Sequence, residues 1–72
     1  MNRDNAIDPI DYLNMVFGRF VNGSQDIQFR RINYMAFSEM VLAFTACGVF
    51  KDVDQYHKAR EMEQSLKRIL DV

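Results

Sequence analysis

From Met35 to Phe50 the chain reads MAFSEMVLAFTACGVF, and twelve of those sixteen residues are apolar. Only Ser38, Glu39, Thr45 and Gly48 interrupt the run. In a protein of 72 residues such a segment is either the central element of the core or a surface kept dry by a partner. It is not a bilayer span. That needs about 20 predominantly apolar residues, and an acid such as Glu39 is costly in hydrocarbon.

Size makes the choice between core and surface acute. A chain this short buries only about 60% of the surface its unfolded form exposes, so a lone core is marginal. Small domains compensate with disulfides, metal, oligomerisation or dense helix packing. The single Cys47 excludes an internal disulfide, and no Cys/His cluster offers a structural zinc site. Packing and oligomerisation remain. An apolar fraction of 49%, with six Phe and three Tyr, supplies ample core material and argues against disorder. A net charge of −1 gives no field to attract nucleic acid or anionic membrane. The opening MNRDNAIDP lacks the apolar stretch of a signal peptide. With the unpaired thiol, this leads us to expect a cytoplasmic protein.

Start and stop signals divide the chain into three helices. The first, over about 9–22, has Asp8 at the N-cap, Pro9 at the first helical position, Asp11 at the capping-box site and Ile7/Tyr12 at staple spacing. Gly23 is positioned for a left-handed C-cap. Ile10, Leu13, Val16, Phe17, Phe20 and Val21 form one stripe, with Met15 the apolar residue on the wrong side. After Gly23-Ser24-Gln25-Asp26, with Ser24 or Asp26 as cap, the second helix covers about 26–47. It ends at Gly48, with Val49 spaced to pack on Phe44. Its first turns are ambiguous, because Ile27-Gln28-Phe29 alternates like a strand. The third, over about 53–71, has Asp52 and Gln55 as a capping box. One face carries Tyr56, Ala59, Met62, Leu66, Ile69 and Leu70; the other carries His57, Lys58, Arg60, Glu61, Gln64, Lys67 and Arg68, and Asp54/Lys58 and Glu63/Lys67 are acid-first i,i+4 pairs.

The second helix differs from the other two. Phe29, Ile32, Tyr34, Ala36, Phe37, Met40, Val41, Phe44 and Cys47 spread over roughly 200° of its circumference, well beyond the ~100° stripe of a surface helix. A helix touching two neighbours needs a wide face. The expected architecture is therefore an all-α three-helix domain: helices two and three form a long antiparallel hairpin, and a shorter helix one packs against it.

Catalytic readings find little support. Cys47 would need His57 as activating base, yet the two fall on different helices, and Cys47 reads as a buried structural thiol. His57 and Glu61 have i,i+4 spacing, which is at most half a metal site. Asp8, Asp11, Asp52 and Asp54 are explained as helix-start acids. No phosphate loop, HExxH, CxxC or GxSxG occurs. We expect no enzyme activity and no cofactor.

What remains is surplus apolar surface. Met35 and Leu42, seven residues apart, share the polar side of helix two. Met15 is the outlier of helix one, and Phe50 follows Gly48 in a loop that no stripe claims. These four are the candidate partner-binding residues, and Met suits adaptable surfaces. The expected function is a small non-catalytic protein-binding regulator, inhibitor, adaptor or assembly chaperone. It would act through helix–helix contacts with another protein and as a homodimer through helix two. The alternatives are a structural subunit of a larger assembly, or a nucleic-acid-binding regulator using Arg30, Arg31, Lys58, Arg60, Lys67 and Arg68. Nucleic acid is disfavoured because acids interleave with these bases.

Overall fold

The structure, a computed structural model, describes residues 7–23 and 26–72. Within them the chain forms three helices and no strand: α1 (Pro9–Gly23), α2 (Ile27–Ala46) and α3 (Val53–Leu70). Each start is set by an aspartate. The Ile10 N–H donates to Asp8 Oδ1 at 2.9 Å, the Gln28 N–H to Asp26 at 3.3 Å, and the Gln55 N–H to Asp52 at 3.0 Å. These acceptors satisfy donors that a helix start otherwise leaves orphaned. The strand-like alternation at 27–29 yields to the helix that Asp26 begins; the rival cap Ser24 lies outside the described residues.

Gly48 ends α2 as expected. At φ 68° it occupies the left-handed region open to glycine. The Val49 N–H donates to the Phe44 carbonyl at 2.9 Å and the Gly48 N–H to Thr45 at 3.2 Å, the paired bonds of a Schellman ending. The same pattern closes α3 without a glycine. Asp71 stands at φ 59°, with Asp71 donating to Arg68 and Val72 to Lys67. One local expectation at α1 fails: Gly23 is its last helical residue and has no positive φ. Ile7, spaced to staple Tyr12, is 65% exposed, and Tyr12 packs against Phe44, ring centroids 6.1 Å apart.

The helices run up, down and up. Asp8 at the start of α1 meets Gln55 at the start of α3, so those two run the same way, and the short connections make α2 antiparallel to both. Leu13, Val16, Phe37, Val41, Ala59, Leu66 and Leu70 form the buried core. Phe37 is its hub, fully buried and edge-on to Phe17 and Phe20 at 6.0 and 6.4 Å. A second aromatic cluster runs Tyr12, Phe44, Phe50, Tyr56 and His57 at the other end. Ile69, expected on the core face of α3, is 54% exposed, because it sits about 100° from Leu70 around the helix.

Two polar fastenings complete the bundle. Glu63 is buried between α2 and α3. It accepts from the Ser38 hydroxyl at 2.7 Å and pairs with Arg60 at 3.3 Å. Its ion-pair partner is thus Arg60, where i,i+4 spacing suggests Lys67. At the opposite edge, the Gln55 side-chain oxygen accepts from the Lys51 N–H at 2.8 Å, while its amide donates to Asp8. Lys51 Nζ stands 3.5 Å from the same carboxylate. The Ile10 N–H above all, then Gln55 and Lys51, holds the Asp8 carboxyl below its ordinary pKa despite partial burial.

Two predictions follow from these fastenings. Ser38→Ala leaves a buried carboxylate short of a partner and costs about 1–3 kcal/mol in urea unfolding. The double change Ser38→Ala/Glu63→Leu returns to within about 1 kcal/mol of the parent or exceeds it, because an apolar pair replaces a buried ion. Asp8 has a depressed folded pKa, so its contribution is full at neutral pH and fades as the pH falls through and below the unfolded value of 3.8. Asp8→Asn keeps a capping acceptor but loses the charge. Its thermal midpoint should fall below the parent's at neutral pH, and the two should converge below about pH 3.

Candidate functional site: the outer face of α2

α2 touches α1 and α3 through one side only. Phe37 and Val41 are buried, and Tyr34, Met40 and Phe44 are half-buried against the core. At about 100° per residue these span little more than a third of the helix. Phe29, Ile32, Ala36 and Cys47, expected to belong to the same covered arc, are exposed. Cys47 is therefore a surface thiol and not a buried structural one, and no hydrogen bond joins it to His57. The arc of about 200° expected to contact two neighbours is thus wider than the part those neighbours cover.

The uncovered part joins Met35 and Leu42. Around the outward side of α2 run Phe29, Ile32, Met35, Ala36, Leu42, Ala43 and Ala46, all exposed. Ile32, Met35 and Leu42 are 58%, 57% and 61% exposed. Four of the ten large apolar side chains that stand exposed among the described residues, Phe29, Ile32, Met35 and Leu42, lie on this side of α2. The apolar surface is thus gathered rather than scattered, and gathered apolar surface marks interaction sites. Its polar members are Gln28, Arg31 and Glu39, and neither Arg31 nor Glu39 has an ion-pair partner among the described residues. Thr45, at the edge, satisfies its hydroxyl internally by donating to the Val41 carbonyl at 2.8 Å.

The remaining candidates separate. Met15 is 43% exposed on the outward side of α1. Phe50 is half-buried, 5.8 Å from Phe44 and 6.4 Å from Tyr56 between ring centroids; it closes the core beneath the α2–α3 loop and does not extend the α2 face. The six basic residues are not drawn into one stripe. Arg31 lies on the outward side of α2, and Arg30 is half-buried with a partner of its own. Arg60 is held by Glu63 and donates to the Tyr56 hydroxyl at 3.0 Å. Arg68 donates to Ser65 at 3.3 Å, and Lys58 and Lys67 fall about 180° apart around α3.

Other concavities offer less. A groove of about 400 Å³ between α1 and α3 has Ile10, Phe17 and Met62 as floor and Asn14, Lys58, Glu61 and Ser65 as rim. It contains neither a histidine nor a thiol nor a pair of carboxylates. Among the described residues no group of three or more His, Cys, Asp or Glu could hold a metal ion, and no helix is long and apolar enough to cross a membrane. Comparison with known protein families, curated proteins and solved structures finds no match to this chain.

Proposed function

We propose that the protein is a small non-catalytic binding module, a regulator, adaptor or assembly chaperone, that recognises another helical protein through the outer face of α2. The observation that carries this reading is the exposed apolar row Phe29, Ile32, Met35, Ala36, Leu42, Ala43 and Ala46, interrupted by Glu39, on the helix that also supplies the centre of the core. The mode is helix-to-helix contact, in which apolar anchors at i, i+3, i+4 and i+7 spacing fill a partner's groove. Ile32, Met35 and Leu42 are the anchors, since each still has more than half its surface to remove from water. Gln28, Arg31 and Glu39 give the contact its polar selectivity.

Association with a second copy belongs to the same reading, because a domain this small gains stability from oligomerisation. The exposed, unpaired Cys47 fits action in a reducing cytoplasm. The nucleic-acid alternative has weaker support, since Arg60 and Arg68 are committed within α3.

The test is a pair of charge insertions. Ile32→Glu and Leu42→Glu should each keep the helical circular dichroism signal, because neither side chain is in the core, and each should weaken partner capture by about tenfold or more. Val41→Glu, placed in the core, should unfold the chain and serves as the contrast. Undiminished capture by both surface variants would sink the proposal.

A further inference from the structure

We infer that the occupant of the α2 face is a second copy of this chain, laid antiparallel about a two-fold axis passing beside Ala36. The inference rests on the reading of that face as a binding surface and names its partner. A two-fold interface requires a patch that matches itself, and two properties of the face meet that requirement.

The first is a gradient of size. The N-terminal half of the row carries Phe29, Ile32 and Met35, while the C-terminal half carries Ala43 and Ala46 around Leu42. An antiparallel pairing about Ala36 sets Phe29 level with the second copy's Ala43 and puts that copy's Leu42 about 3 Å along the axis from the level of Ile32. The two Ala36 residues meet at the axis, where small side chains let the helices approach. A parallel pairing would stack large on large and small on small, leaving clashes at one end and voids at the other.

The second is charge. Arg31 and Glu39 are exposed on the same side of α2, without ion-pair partners among the described residues. The same register puts Glu39 level with the second copy's Asn33 and two residues, about 3 Å along the axis, from its Arg31. An arginine side chain spans that gap, and symmetry makes the pair twice. Parallel helices would instead place Glu39 against Glu39, a like-charge contact that disfavours pairing. Opposed macrodipoles favour the antiparallel arrangement as well.

The experiment uses the full chain. Sedimentation equilibrium at micromolar concentration should give a dimer that weakens with added salt. Arg31→Glu and Glu39→Arg should each raise the dissociation constant by about tenfold or more, and the double swap should return it to within about threefold of the parent. In a Cys47→Ser background, Ala36→Cys should close an intermolecular disulfide under mild oxidation, and Ala46→Cys should not. A folded chain that stays monomeric throughout overturns the inference. If Leu42→Glu in that monomer still abolishes capture of a different protein, the binding-face reading stands without it. A dimer indifferent to the charge swap, or one that cross-links through position 46 and not 36, overturns the antiparallel register.

Discussion

In a bundle of three helices each helix has two neighbours, and two neighbours cannot surround a cylinder. That limit organises the molecule. α2 supplies the core's hub, Phe37, packed edge-on to Phe17 and Phe20, and beside it Val41, Tyr34, Met40 and Phe44. Beyond these, α1 and α3 reach no further around α2. The remaining apolar side chains of α2 stay in water although their composition suits an interior. An apolar arc wider than its covered part leaves large side chains such as Ile32, Met35 and Leu42 in water.

The polar contacts decide how the helices sit rather than whether they associate. Buried ionic contacts contribute little net stability, but Ser38–Glu63–Arg60 has a definite geometry that only one rotation of α2 against α3 satisfies. That rotation turns Ser38 inward and Met35 and Leu42 outward. Asp8, Gln55 and Lys51 act similarly at the edge where α1 and α3 begin, tying two helix starts and a loop through one carboxylate. The orientation of the exposed face thus follows from a contact made at its flank, where Ser38 lies about 40° around the helix from Leu42.

Much of this was legible residue by residue. Asp8, Asp26 and Asp52 mark helix starts because a short acceptor next to free N–H groups has little else to do. Gly48 marks a stop because a left-handed residue favours glycine. The stripe from Ile10 to Val21 is narrow enough to have one interpretation, and the structure packs it inward. The end of α3 near residue 71 is expected, but its left-handed closure is not, because Asp71 holds a positive φ without being glycine. Glu63 escaped because i,i+4 spacing with Lys67 looks the same whether the acid faces water or a serine on another helix. The candidate face was half visible. Met35 and Leu42 stood out by falling on the polar side, whereas Phe29, Ile32 and Ala36 were hidden by sitting on an arc assigned to the core.

The sequence by itself determined three helices, their ends and the fact that α2 carries more apolar circumference than the others, since these follow from local capping chemistry and the 3.6-residue period. Only the tertiary structure decided which part of that circumference is interior, that Cys47 and Ile32 face outward, and that Phe50 closes the core. Those outcomes depend on how far two neighbouring helices reach around a third, a limit set by the packing of residues far apart in the chain.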